Sequence, residues 1–97
     1  MATYIMLAKF TDQGIRNVKD TVKRAEAFKE KAQKHGATVK DIYWTLGTHD
    51  MVTILEAPDE GVVLTLGLAA GAMGNVRTET LRAFGAEQVK NVLEKIS

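Results

Sequence analysis

The apolar positions of the first part of the chain recur with the period of β-strands. Residues 3–10, TYIMLAKF, are apolar at both odd and even positions, which is typical of a central strand buried on both faces. Residues 38–46, TVKDIYWTL, alternate instead, with Ile42, Trp44 and Leu46 on one side. A third run, MVTILE at 51–56, follows after only four residues, and this spacing predicts an antiparallel hairpin. The threonine-rich run NVRTETLRAF at 75–84 predicts a fourth strand.

Three other stretches show helical spacing. Residues 21–35 place Ala25, Phe28, Ala32 and His35 on one stripe, and Gly36 is predicted to end this helix. A second helix is predicted from Pro58 to about residue 73, with acidic residues in its first turn. A third is predicted within EQVKNVLEKI, residues 87–96. The segment TDQGIRNVKD, 11–20, is rich in turn-forming residues and is predicted to be a loop.

The order of these elements predicts the fold class. Strand, helix, strand, strand, helix, strand is the ferredoxin-like βαββαβ pattern, in which helices cover one face of a four-stranded antiparallel sheet. The extra C-terminal helix follows it. A chain of 97 residues is predicted to form one α+β domain, residues 1–97.

Charge and composition exclude several classes of function. Thirteen basic and twelve acidic side chains give a net charge of +1, so binding to nucleic acid or to an anionic membrane is not expected. The absence of cysteine excludes disulfides, thiolate metal ligands and a cysteine nucleophile. The two histidines, His35 and His49, lack metal-ligand spacing, and neither a metal nor another cofactor is predicted. With no export signal visible in MATYIMLAKF, a cytoplasmic location is expected.

The apolar surface that this fold leaves uncovered predicts self-association. Both faces of the strands carry apolar side chains, yet the two crossover helices cover only one face. The sheets of two subunits are therefore predicted to pack face to face. The helical stretch 62–74, VVLTLGLAAGAMG, has no charged residue, which predicts burial all round and a surface for assembly beyond a dimer. A homodimer or higher homo-oligomer is expected.

The hairpin tip GTHD, 47–50, contains the most reactive side chain of the sequence. Gly47 tolerates positive φ, and Asp50 is expected to bond its own backbone and close the turn. Histidine is the side chain that most often serves as a general acid or base, and His49 is therefore the best candidate for that role.

A second group of candidates lies on the strands and predicts a ligand site. Thr78, Thr80 and Arg82 share one face of the fourth strand, where a cation among hydroxyl groups could hold a small anion. Tyr43 and Trp44 face opposite sides of the second strand, so one of them is expected to join these residues. Together they are predicted to line a ligand cavity between paired sheets.

Three motifs give the chain a resemblance to a known family. With TDQGIRN near the start, YWTLGTHD in the middle and GNVRTETLRAF towards the end, residues 3–84 resemble the GYD domain family, named for a Gly-Tyr-Asp-type signature after the second strand. The resemblance implies a ferredoxin-like fold of the dimeric α/β barrel type, and it implies no particular activity. The sequence departs from the signature at His49, which stands at the tyrosine position.

Two functional hypotheses follow from these features. The first is a homo-oligomeric small-molecule-binding or regulatory module with its cavity between paired sheets. The alternative is a cofactor-free enzyme of the monooxygenase or isomerase type, in which His49 is the acid or base and Arg82 stabilises an anion. The sequence leaves open whether the protein is an enzyme.

Overall fold

The first strand, β1 (Ala2–Phe10), lies at the centre of a four-stranded antiparallel sheet. It pairs with β3 (Met51–Ala57) on one side and with β4 (Val76–Ala83) on the other, while β2 (Thr38–Trp44) pairs with the outer edge of β3. The structure is a computed structural model that describes residues 1–96, and Ser97, the last residue of the predicted domain, lies outside them. The strand order β2-β3-β1-β4 confirms the predicted antiparallel sheet of an α+β, ferredoxin-like protein.

Within residues 1–96 the chain forms four α-helices: α1 (Asp12–Arg16), α2 (Thr21–Lys34), α3 (Glu60–Ala72) and α4 (Ala86–Leu93). The prediction of a loop over residues 11–20 is wrong, because α1 and a single 3-10 turn occupy it. The hydroxyl of Thr11 accepts a hydrogen bond from the backbone N–H of Gly14 at 3.0 Å and so caps α1. Thr11 therefore acts as a helix cap. The residue types that favour turns also favour the caps of helices. Within residues 1–96, no helix is both long and apolar enough to cross a membrane.

The ends of the predicted helices have identifiable caps. Gly36 follows α2 with a φ of 84°, as the sequence predicts for a residue that ends a helix. The helix α3 begins two residues later than predicted, because the carboxylate of Asp59 accepts a hydrogen bond from the N–H of Val62 at 3.0 Å. Pro58 thus precedes the cap instead of lying in the first turn.

The core lies between the sheet and the helices α2 and α3. The register places Tyr4, Met6 and Ala8 beside β3 residues that are also buried or half-buried. The buried residues of this cluster come from the sheet, from both helices and from the chain that leads into β2: Tyr4, Met6, Ala32, Ala37, Val39, Leu55, Ala57, Val63 and Leu66. Burial of these side chains supplies the main stabilising term for a two-layer fold.

The other side of the sheet, here called the open face, has no helical layer among residues 1–96. Its apolar side chains are only partly buried, and charged residues lie between them. By register it consists of Thr3, Ile5, Leu7 and Lys9 of β1, Val52, Ile54 and Glu56 of β3, Arg77, Glu79, Leu81 and Ala83 of β4, and Thr38, Asp41 and Tyr43 of β2.

Two helices keep apolar surface exposed. In α3 only Val63 and Leu66 are buried, while Leu64 and Leu68 are 62% and 64% exposed. Within one chain the stretch 62–74 is therefore buried on one side only, because a single layer of strands covers that side, and burial of its other side by further subunits stays a prediction. Every residue of α4 is exposed as well, including Val92 and Leu93.

A backbone junction joins α1 to the turn between α3 and β4. The N–H of Thr11 donates to the carbonyl of Asn75 at 3.1 Å, and the hydroxyl of Thr11 donates to the carbonyl of Gly74. Gly14 lies so close to Asn75 that a Cβ atom on Gly14 would be 1.9 Å from the Asn75 carbonyl oxygen. Only glycine fits there without a shift of the backbone.

Replacing Gly14 by alanine is expected to destabilise the protein by about 1–3 kcal/mol or more, because the added methyl group overpacks this junction. The free energy of unfolding from urea titration measures the effect. Gly71→Ala is the matched control, since Gly71 lies in α3 with no atom within 4 Å of its added Cβ, and it should stabilise by up to about 1 kcal/mol. A Gly14→Ala variant as stable as the wild type would contradict the close approach.

Candidate functional site

A cavity of about 250 Å³ lies between the sheet and the helices α2 and α3, and it is partly open to solvent. All four strands, both helices and two residues of the turn between α3 and β4 contribute to its walls. The lining residues are Met6, Ala8, Phe10, Thr21, Arg24, Ala25, Ala27, Phe28, Lys31, Ile42, Met51, Thr53, Leu66, Ala70, Met73, Asn75, Val76 and Thr78.

Small side chains on the two facing helices leave this space. Ala25 and Ala27 of α2 and Ala70 of α3 line the cavity, where larger residues would fill it. An apolar cavity of about 150 Å³ accommodates a benzene molecule. The cavity of this protein is therefore large enough for an aromatic ring with a substituent.

The chemistry of the cavity walls is mostly apolar, with a few polar groups. Phe28, Met51 and Leu66 provide large apolar contacts, and threonine hydroxyls together with Asn75 add neutral polar atoms. Its charged lining residues are Arg24 and Lys31, both basic. An apolar wall with a few polar groups is typical of a small-molecule site.

The structure does not bring the three predicted β4 candidates together. Thr78 lines the cavity, whereas Thr80 is exposed and Arg82 lies four residues from Thr78 along the strand, about 13 Å away. The Arg82 guanidinium stacks over Phe84 at 4.3 Å from the ring centroid and donates to the carbonyls of Thr3 and Ala83. Arg82 thus holds the far end of β1 and β4 together.

The two aromatic candidates of β2 lie on opposite faces, as predicted. The indole N–H of Trp44 donates to the hydroxyl of Thr21 at 3.1 Å, which fixes Thr21 at the start of α2, where it lines the cavity. Tyr43 pairs with Val52 on the open face and is exposed.

Of the five residues named for a cavity between paired sheets, four lie on the face of the sheet that the helices cover. Register places Thr78, Thr80 and Arg82 beside Ala8, Met6 and Tyr4, on the face that the helices cover. Trp44 lies on that same face, and Tyr43 alone of the five lies on the open face. The sequence defines which residues share a face, but the position of the helices decides which face is covered.

The loop GTHD is attached to β1 through Asp50. Its backbone N–H donates to the carbonyl of Ala8 at 2.8 Å, and its carboxylate accepts from the N–H of Phe10 at 2.8 Å. The prediction that Asp50 bonds its own backbone is thus wrong, because its partner is the neighbouring strand. Gly47 has a φ of 103°, as expected for a turn glycine.

His49 does not pair with Asp50, and it lies far from Arg82. The imidazole Nε2 of His49 is 3.6 Å from a carboxylate oxygen of Glu79, on the open face and across the width of β1. Because Arg82 belongs to the opposite face and to the opposite end of the strand, the two residues of the enzyme hypothesis do not form one site. Within residues 1–96, no cluster of three or more His, Asp or Glu side chains could hold a metal ion.

Several lining residues of the cavity were not predicted as site residues. In the sequence, Arg24 and Met51 fit the ordinary patterns of a helix and a strand, and Ala70 fits the pattern of an apolar helix, so none of them is marked as a site residue. The alanines on the facing sides of two helices were the available signal, since small residues at such positions leave space.

Comparison with known proteins agrees with this architecture. The crystal structure of TTHA0845 from Thermus thermophilus is similar over 89% of this chain and 96% of that chain, with a TM-score of 0.57 and 24% sequence identity. At this identity the likeness shows the fold alone. No curated protein matches the sequence.

The antiparallel sheet with helices on one face places the protein among the ferredoxin-like α+β proteins. The profile of the GYD domain matches residues 4–93, nearly the whole chain, and the protein belongs to the GYD domain family. The resemblance noted in the sequence is thereby confirmed.

Replacing Asp50 by alanine is expected to lower the free energy of unfolding by about 1–3 kcal/mol, because the N–H of Phe10 loses a charged acceptor. Asp50→Asn keeps one acceptor oxygen and should lose less. His49→Gln serves as the control, since the contact with Glu79 lies at the surface and should contribute at most about 1 kcal/mol. Equal unfolding curves for Asp50→Ala and the wild type would show that Asp50 does not anchor the loop.

Proposed function

We propose that this GYD domain is a homo-oligomeric module that binds a small molecule in the cavity between the sheet and the helices α2 and α3. The observation that carries the proposal is the cavity itself, which combines an apolar wall with a few polar groups. Such a combination binds a ligand through the apolar wall and orients it through the polar groups.

The position of the cavity supports binding without major rearrangement. Its floor is the middle of the sheet, where Met6 and Ala8 are both buried. Asn75 also lines the cavity, and its backbone carbonyl accepts a hydrogen bond from the N–H of Thr11. Rigid walls lower the entropy that a binding site loses when a ligand is bound.

The arrangement favours a binding module over the enzyme alternative. His49 lies at the open face, and it is absent from the residues that line the cavity. A general acid or base must reach the group that it protonates or deprotonates, either directly or through one water molecule. A molecule in the cavity would not meet that condition with His49.

The open face supports the proposed self-association. Ile5, Leu7, Val52 and Ile54 form an apolar centre in the middle of the sheet, and each is only partly buried in the single chain. Lys9 and Arg77 alternate with acidic residues such as Glu79 around this centre, so a second copy can offer both apolar contact and opposite charge. In this proposal the open face of a second subunit covers the sheet.

The C-terminal helix α4 exposes further apolar side chains. Val89, Val92 and Leu93 of α4 and Phe84 just before it are all exposed in the single chain. Soluble monomers rarely leave so much apolar surface uncovered. The same second copy would bury these side chains.

Indole, a neutral bicyclic probe, is expected to bind in the cavity. Ala70→Leu should lower the affinity for indole about tenfold or more, which equals roughly 1.4 kcal/mol or more of binding free energy. The larger side chain occupies the space that indole needs. Ala72→Leu is the matched control, because Ala72 is exposed on the same helix and does not line the cavity. Calorimetric titration measures both affinities, and unchanged binding by Ala70→Leu would exclude the cavity as the site.

Leu81→Glu is expected to convert the oligomer to a monomer, because it places a new charge within the apolar part of the open face. Native mass spectrometry measures the subunit number and also any small molecule that is retained. Leu64→Glu makes the same change on the exposed side of α3 and should leave at least a dimer. A wild-type chain that stays at 10.6 kDa at every concentration would refute self-association.

A further inference from the structure

We infer that the ligand of the cavity is a small apolar molecule with one carboxylate group, and that Arg24 binds this carboxylate. The inference rests on the proposed function, because it assigns a chemical class to the ligand of the same cavity. Three observations carry it: the hydrogen bonding of Arg24, the signs of the charges around it, and the size of the cavity.

Only some of the hydrogen-bond donors of the Arg24 guanidinium have a partner among residues 1–96. Arg24 lies in α2 and lines the cavity, and its Nη1 atom donates to the backbone carbonyl of Asn17 at 2.9 Å. Its Nη2 atom is shielded from solvent and has no hydrogen-bond partner among residues 1–96. Buried donors of a charged group are rarely left without a partner, since their desolvation is then uncompensated.

No acidic side chain neutralises this charge within residues 1–96. The ion pair found in that part of the chain joins His49 to Glu79, and Arg24 takes part in none. Asp20, one helical turn before Arg24, does not approach it within ion-pair distance, and no Asp or Glu of the described residues lines the cavity. Lys31 lies on the same side of α2, two turns further on, so the cavity carries two cations and no anion from this part of the chain.

The shape and polarity of the cavity select a carboxylate with an apolar body. A planar guanidinium can donate two parallel hydrogen bonds to a carboxylate. The bond to Asn17 uses only Nη1 of Arg24, so one edge of the guanidinium remains available for a carboxylate. The remaining walls, including Phe28, Met51 and Leu66, offer apolar contact and little hydration for further charges. With about 250 Å³ available, the ligand is the size of a substituted aromatic acid or a short branched acid.

Phenylacetate and phenylacetamide test this inference, because they have nearly the same shape and differ in charge. Calorimetric titration of the full-length protein at neutral pH is expected to give at least about tenfold tighter binding for phenylacetate, the size of effect expected from a charge-assisted hydrogen bond. Ala70→Leu should weaken both probes, since both need the same space.

Variants of α2 assign the preference to Arg24. Arg24→Met should bring the two affinities within about twofold of each other, whereas Arg24→Lys should retain part of the preference for phenylacetate. Lys23→Met removes the same charge from the exposed neighbouring residue, which does not line the cavity, and should keep the wild-type preference. Thermal unfolding of each variant shows that it is folded before it is titrated.

The outcomes separate the two proposals. If both probes bind equally to the wild type and Ala70→Leu weakens both, the cavity binds ligands and the assignment of a carboxylate is overturned. If Arg24→Met keeps the full preference, Arg24 is not the group that recognises the anion. If neither probe binds the wild type and indole also fails, the cavity is not a binding site and both proposals are overturned.

Discussion

The backbone at the end of β1 is held from both sides, and the arrangement of the molecule depends on this anchoring. The N–H of Phe10 donates to the carboxylate of Asp50, in the loop before β3, and the N–H of Thr11 donates to the carbonyl of Asn75, in the turn before β4. Because β1 lies between β3 and β4, these two bonds fix the loop before β3 and the turn before β4 relative to each other. Parts of the three motifs that carry the family resemblance therefore meet at one end of the sheet.

The cavity lies beside the same end of the sheet. Phe10 and Asn75 line it, and Met51, which follows Asp50, forms part of its floor. Trp44 adds a further restraint by binding Thr21 at the start of α2. The cavity is therefore bordered by anchored backbone, while the small side chains of the facing helices keep it open. A site of this kind can be rigid without any strained residue, since positive φ values in residues 1–96 occur only at glycine.

The two faces of the sheet differ in how the described part of the chain covers them. Two crossover helices are enough to cover one face and to build the cavity, and the other face keeps partly exposed apolar side chains. His49 and Glu79 lie on that open face, remote from Arg24. The two residues of the enzyme hypothesis, His49 and Arg82, therefore belong to two surfaces, the open face and the covered face that encloses the cavity.

The sequence alone determined most elements of the fold, although not the short helix α1. Alternation of side chains in strands and their 3.6-residue period in helices are local properties, so the four strands, the helix ending at Gly36 and the hairpin around Gly47 followed from the order of residues. Only the tertiary structure decided where the site lies. Arg24 and Lys23 are neighbouring basic residues of one helix, and the packing of α2 against the sheet directs one of them to the cavity and leaves the other exposed. Likewise Asp50 binds β1 and Gly14 meets Asn75 because long-range pairing brings distant segments together, and no local pattern records such contacts.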